Sequence, residues 1–202
     1  MTAKYQKVGI ITNDQGEYPE NTSFVNANYS PADEVINGCF SSNFDSLSDK
    51  IVSLNQDLQP DYIFAESVGL WTDLAATVLK PLMIFNKNIF ESVTLSIFVD
   101  ARLLLSYLKG NKLLFDDDVT YIFSKQIEES DLLIINKIDL LGEADLPILK
   151  RLVNNKLKDK IMIISQSSFN PQNLDNWLNT INNLPSRKRE SLEINYQSYG
   201  KG

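Results

Sequence analysis

Five short apolar runs, separated by amphipathic segments, constrain the fold more than any other feature of this sequence. The runs span residues 8–11, 62–65, 93–99, 132–135 and 161–164. They are rich in isoleucine and valine and apolar on both faces, which is typical of strands in a parallel sheet covered by helices. The sequence therefore predicts an α/β fold built on a mostly parallel sheet.

Four further segments have the 3.6-residue spacing of amphipathic helices. Their apolar positions are Phe44, Leu47, Ile51 and Leu54; Val119, Ile122, Phe123 and Ile127; Leu149, Leu152, Val153 and Leu157; and Leu174, Trp177, Leu178 and Ile181. Asn170 and Pro171 mark the start of the last helix as its cap and first-turn residue. Because strands that alternate with helices form βαβ units, we predict a doubly wound sheet that binds ligands at the carboxyl ends of its strands.

Charge and composition argue against several classes of function. The formal net charge of −7 lacks the concentrated basic face that nucleic-acid phosphates require. No apolar run reaches the roughly 18 residues of a membrane span. The chain has no histidine and one cysteine, so it lacks the commonest transition-metal ligand and cannot form an internal disulfide. We therefore expect a cytoplasmic protein with no nucleic-acid partner and no membrane partner.

The fourth apolar run is followed directly by Asn136-Lys137-Ile138-Asp139. An aspartate at this position can accept hydrogen bonds from the ring N–H and the exocyclic amine of guanine, whereas adenine offers the wrong pattern. The lysine stem can lie along the base, and the asparagine amide can tie neighbouring loops together. The alternative is a polar turn that only closes a buried strand.

Polar residues also follow two other runs. Ser165 and Gln166 come one βαβ unit after the Asn-Lys-x-Asp motif, where a backbone N–H could reach the base oxygen, although a strand-ending serine is also ordinary turn chemistry. Glu66 follows the second run, and Gly69 comes three residues later. An acid there can hold Mg²⁺ through water or orient an attacking water, and a glycine lets the backbone approach a γ-phosphate. The alternative for Glu66 is an ordinary turn acid.

In their order and spacing, these segments resemble the CobW/HypB/UreG class of P-loop GTPases, in particular its CobW-like, cobalamin-biosynthesis-type branch. The resemblance implies a fold of P-loop GTPase type, GTP and Mg²⁺ as ligands, and a metallochaperone that delivers a metal or cofactor to a target metalloenzyme. It also implies a role for each matching position. Asn136, Lys137 and Asp139 would read guanine, Ser165 and Gln166 would form the second base loop, Glu66 would be catalytic, Gly69 would lie by the γ-phosphate, and Asn13 and Asp14 would begin the first switch segment.

The chain departs from the family pattern at the phosphate loop. It contains no Gly-x-x-x-x-Gly-Lys-Ser/Thr, which the family carries on a preceding strand and helix. We therefore expect residues 1–184 to form a GTPase-like domain without its first strand, phosphate loop and first helix, and 185–202 to be a polar linker or the start of a C-terminal domain. GTP and Mg²⁺ should then bind weakly or not at all, GTP hydrolysis should require the missing loop, and self-association through an incomplete sheet is expected.

A second departure concerns metal. The family motif Gly-Cys-x-Cys-Cys stands here as Gly38-Cys39-Phe40-Ser41-Ser42. Hydroxyls do not replace soft sulfur as zinc ligands, so we do not expect zinc binding, and Cys39 is either a metal ligand or a small buried thiol.

Two other functions stay open. One is a pseudo-GTPase interaction module that binds a partner without nucleotide hydrolysis. The other is an α/β binding domain that uses no nucleotide.

Overall fold

The contacts of the chain group it into two compact units, Met1–Glu91 and Ser92–Gly202. The computed structural model describes residues 7–13, 32–36, 38–69, 71–158, 162–165, 167, 170 and 172–184. Each unit has a three-stranded sheet of its own, in which every pairing is parallel. The predicted α/β fold with parallel strands is therefore confirmed.

The described elements alternate between strands and helices. The strands are β1 (Val8–Thr12), β2 (Ala32–Glu34), β3 (Tyr62–Glu66), β4 (Ser96–Asp100), β5 (Leu132–Asn136) and β6 (Met162–Ser165). The helices are α1 (Phe44–Leu58), α2 (Lys80–Phe85), α3 (Ala101–Leu108), α4 (Asp117–Glu129), α5 (Asp145–Lys156) and α6 (Gln172–Asn183). A π-helical turn, Ala75–Leu79, leads into α2, and a 3₁₀ turn, Ile138–Leu140, follows β5.

The sheet of the first unit has the order β2-β1-β3. Helix α1 presents the predicted stripe, with Leu47, Ile51 and Leu54 buried. A Cβ atom at Gly9 would lie 3.4 Å from the Leu54 side chain, so the glycine in β1 lets α1 pack closely on this sheet. The ends of the three strands are level, because Thr12 is in register with both Glu34 and Glu66.

The sheet of the second unit has the order β4-β5-β6, which makes β5 its central strand. The four residues from Leu132 to Ile135 are between 0% and 1% exposed, so β5 is covered on both faces. Its neighbours in the core include Leu104 of α3, Ile127 of α4 and Leu149 of α5. This burial fixes where the strand ends and therefore where the polar residues after it begin.

Some elements differ from the expectations. The strand predicted at 93–99 begins only at Ser96. Just before it, the Leu95 N–H donates to the Asp131 side-chain carboxylate at 2.8 Å and not to the backbone of β5. Strand β2 and helices α2 and α3 were not predicted, because β2 has no apolar pattern and α3 follows β4 without a break. Asn170 lies before α6 and Pro171 lies outside the described residues, so the predicted cap stays a prediction.

The outer edges of the two sheets bear on the expected self-association. Among the described strands, β2, β3, β4 and β6 each pair on one side only. Unpaired strand edges can template contacts with another chain, and the expectation stays a prediction. None of the helices in the described ranges has the length and apolar character needed to cross a membrane.

Two leucines of the second unit provide a test of this core. Leu104 is fully buried, whereas Leu114 is fully exposed. Leu104→Ala should lower the free energy of unfolding by about 2–5 kcal/mol, because it removes a packed side chain and leaves a cavity. Leu114→Ala makes the same chemical change in solvent and should stay within about 0.5 kcal/mol of the parent. Urea unfolding followed by circular dichroism measures both, and equal losses would contradict this assignment of the core.

Candidate functional site

The chain reverses direction sharply after β5. Asn136 is the last residue of the strand, and Lys137 has φ 60° and ψ 35°, in the left-handed region that residues other than glycine rarely occupy. The Leu140 N–H then donates to the Lys137 carbonyl at 3.0 Å and closes the 3₁₀ turn. A left-handed lysine at a strand end costs local free energy, and such strain is concentrated at functional sites.

Apolar residues anchor this turn while polar ones project from it. Ile138 and Leu141 pack against the buried core of the second unit. Lys137 and Asp139 are exposed, and Asn136 is half-buried. The alternation of anchored and projecting residues makes the Asn136–Asp139 turn a fixed platform with an ammonium group and a carboxylate on its solvent side.

Asp100, which the sequence analysis did not single out, lies beside this platform. It is the last residue of β4 and is in register with Asn136. Its carboxylate accepts hydrogen bonds from Arg102 Nη2 at 2.8 Å and Nε at 3.2 Å, and from the Arg102 backbone N–H at 2.9 Å. The same carboxylate forms an ion pair with Lys137 Nζ at 3.4 Å. The sequence carries the same signal at Asp100 as at Asn136, namely a polar residue directly after an apolar run.

The electrostatics of Asp100 follow from these contacts. Hydrogen bonds from Arg102, with help from Lys137, hold the pKa of the Asp100 carboxyl well below its usual range, although burial acts in the opposite direction. Asp100 in turn raises the pKa of the Arg102 guanidinium, and the charge of Asp139 adds to that effect. Asp100 is therefore an ionised, 10% exposed carboxylate shared by two cations.

The second base loop is only partly described. Ser165 is the last residue of β6 and is in register with Ile135, one residue before Asn136. Its backbone therefore ends beside the start of the Asn136–Asp139 turn. The predicted role of Gln166 falls outside the described residues.

The candidate residues of the first unit occupy the carboxyl ends of its strands. Glu66 ends β3 and is exposed. A Cβ atom at Gly69 would meet no atom within 4 Å, so the space beside this backbone is open. Asn13 follows β1, and its Nδ2 donates to the carbonyl oxygens of Val35 at 2.8 Å and Gly38 at 2.7 Å. Asp14 lies outside the described residues.

Cys39 is a buried thiol held by two serines. Its Sγ lies 3.2 Å from both the Ser41 and the Ser42 hydroxyl oxygens. Burial raises the pKa of the thiol, but the hydrogen bonds from Ser41 and Ser42 outweigh it and lower the pKa from 9.0 to about 7. Gly38 is required beside it, because its φ is +145° and a Cβ there would lie 2.6 Å from the Ser42 hydroxyl. Within the described ranges, no group of three or more histidine, cysteine, aspartate or glutamate side chains could hold a metal ion.

A comparison with known families decides the relationship. The family model CobW/HypB/UreG, nucleotide-binding domain, matches residues 1–164. The chain belongs to this family. The match includes the strand ends with Asn13 and Glu66 and the whole Asn136–Asp139 turn, so the resemblance inferred from the motifs is confirmed. A search of the curated proteins and a search of the solved structures each found no match.

The thiol chemistry of Cys39 can be tested directly, since it is the only cysteine. Its thiolate absorbance should rise with a midpoint near pH 7. In Ser41→Ala/Ser42→Ala, the midpoint should move upward, because the hydroxyl hydrogen bonds that stabilise the thiolate are gone and only those of the backbone remain. Ser53→Ala, an exposed change on α1, is the matched control and should leave the midpoint in place. A parent midpoint unaffected by the double substitution would contradict the assigned cause.

Proposed function

We propose that this protein binds GTP through the Asn136–Asp139 turn and acts as a GTP-dependent chaperone that delivers a metal or cofactor to a target metalloenzyme. The single observation that carries the nucleotide part is the geometry of that turn. An exposed Asp139 carboxylate stands on an anchored backbone after a buried strand, beside the exposed stem of Lys137. The family match supports nucleotide binding, and the single cysteine favours a cytoplasmic setting.

The residues fit guanine in chemical terms. Among the described residues, none forms a hydrogen bond or ion pair with the Asp139 side chain, so both its oxygens are open to a ligand. Two acceptors in one plane match the ring N–H and the exocyclic amine of guanine. Lys137 would cover the base with its stem, and the Ser165–Gln166 segment would donate to the base oxygen.

Several residues of the first unit have family roles toward Mg²⁺ and phosphate. Glu66, exposed at the end of β3, would hold Mg²⁺ through water or orient an attacking water. The empty space where a side chain would stand at Gly69 fits the approach of a γ-phosphate. Asn13 and Asp14 would begin the switch segment. Mg²⁺ would supply charge neutralisation at the phosphates.

Asp139 provides the test of base recognition. Asp139→Asn should weaken GDP binding by about tenfold or more, because an amide presents a donor where guanine also donates and a charged hydrogen-bond partner is lost. The same change should shift preference toward XDP, whose base offers a carbonyl at that position. Amide-resolved NMR titrations with GDP, ADP and XDP reach the millimolar range that weak binding requires.

The control for this test is Asp118→Asn, an equivalent loss of charge on the exposed side of α4. It should leave all three affinities unchanged. If Asp139→Asn and Asp118→Asn behaved alike, the Asn136–Asp139 turn would be a structural turn and not a base site.

Hydrolysis is a separate matter from base binding. None of the 202 residues forms a Gly-x-x-x-x-Gly-Lys-Ser/Thr loop, and such a loop supplies the N–H cradle and the lysine that stabilise transferring phosphate. We expect this chain alone to release phosphate from Mg²⁺–GTP no faster than buffer does, and Glu66→Gln to make no difference. Phosphate release far above background that Glu66→Gln abolished would overturn this expectation.

One observation favours a second candidate, a pseudo-GTPase interaction module. Ser41 and Ser42 occupy the positions of two cysteines in the family motif, and their hydroxyls bond the remaining thiol. A chain with this arrangement could keep the surface of the fold for a protein partner without cargo or hydrolysis. The nucleotide titrations separate the proposed function from a module that no longer uses its base site, since such a module predicts no preference for guanine.

A further inference from the structure

We infer that Asp100 is a positioning residue for guanine recognition: it engages both neighbouring cations, Arg102 and Lys137, and thereby leaves the Asp139 carboxylate open to the base. The inference rests on the proposed function, because it assigns a residue to the same site. Asp100 lies outside the Asn-Lys-x-Asp motif and comes from a different strand.

The geometry shows why a second carboxylate matters here. Two cations and two carboxylates lie close together at the ends of β4 and β5. Arg102 feels the charge of Asp139 as well as that of Asp100. However, all of its side-chain hydrogen bonds in the described part of the chain go to Asp100. Asp100 therefore determines which carboxylate the guanidinium occupies.

Burial and backbone position explain why Asp100 prevails. Its side chain is 10% exposed, and it also caps α3 by accepting from the Arg102 N–H. The backbone N–H and the guanidinium of Arg102 donate to the same Asp100 carboxylate. The backbone contact therefore holds that carboxylate within reach of the guanidinium. A guanidinium fork on a carboxylate is stronger than a neutral hydrogen bond. Arg102 is thus held at the helix start and not over the base platform.

The contact with Lys137 acts on the other cation. Lys137 has a left-handed backbone, and its Nζ lies 3.4 Å from the Asp100 carboxylate at the end of β4. A tethered ammonium group aligns the lysine stem and keeps this second cation from pairing with Asp139, two residues away. Asp100, which is paired with Asn136 in the sheet, thus holds both the Arg102 guanidinium and the Lys137 ammonium group.

The decisive variant is Asp100→Asn, because asparagine remains a good helix cap but has no charge. We expect the freed Arg102 guanidinium to pair with Asp139, and GDP affinity to fall about two- to fivefold, the range of an exposed ion pair. Raising the salt concentration should recover part of the loss, because an exposed pair is screened. Arg102→Gln added to Asp100→Asn should restore part of the affinity, because it removes one of the two competing cations and leaves Lys137 untethered. Arg102→Gln alone should bind GDP like the parent.

A second readout is independent of nucleotide. The Arg102 Nε–H resonance, assigned by its loss in Arg102→Gln, should change its chemical shift but remain protected in Asp100→Asn, and it should become exchange-broadened when Asp139→Asn is added. If the parent showed no guanine preference while Arg102 still moved to Asp139, the proposed function would fail and the pairing role of Asp100 would stand. If Asp100→Asn changed neither the Arg102 resonance nor GDP affinity, Asp100 would be only a helix cap and the inference would be wrong.

Discussion

The complete burial of the four apolar residues of β5 is the constraint on which the second unit depends. A strand with four consecutive side chains at most 1% exposed must be covered on both faces, by helices that pack on the same sheet. Such a strand cannot slip in register without moving its whole apolar set. The residues that follow β5 therefore lie at a fixed position at the carboxyl end of the strand. The Asn136–Asp139 turn can act as a recognition element because the register of the strand before it is fixed.

Local chemistry then divides the strand ends into structural and open groups. Asn13 lies directly after β1 and has a structural role, because its amide holds two carbonyl groups of the neighbouring segment. Asp100 and Asp139 illustrate the difference between the two kinds of group. Asp100 is surrounded by donors from Arg102 and Lys137, whereas Asp139 faces solvent on an anchored turn. Residue type alone does not separate these roles; the partners within reach do.

This division explains how much could be predicted from the sequence. The apolar runs and helical stripes predicted the parallel α/β fold, because the spacing of apolar residues along the chain indicates which faces of each element are buried. The Asn136–Asp139 turn could be found because its three polar residues have a fixed spacing. Strand β2 could not, because its three half-buried residues become a strand only through pairing with β1. Helix α2 begins in a π-helical turn and carries Pro81, which interrupts a simple stripe.

Asp100 was hidden for a different reason, which bears on how such sites are built. A sequence motif consists of residues that are close together along the chain. Asp100 instead acts on residues of the neighbouring strand, to which it is close only in the folded sheet. Asp100 and Asn136 are 36 residues apart in sequence and directly paired in the sheet. In a parallel sheet, the carboxyl ends of neighbouring strands lie along the same edge, so a residue that ends one strand is close to the end of the next. The strand ends next to a recognised motif are therefore the places to look for residues that control its electrostatics, as Asp100 with its two cations illustrates.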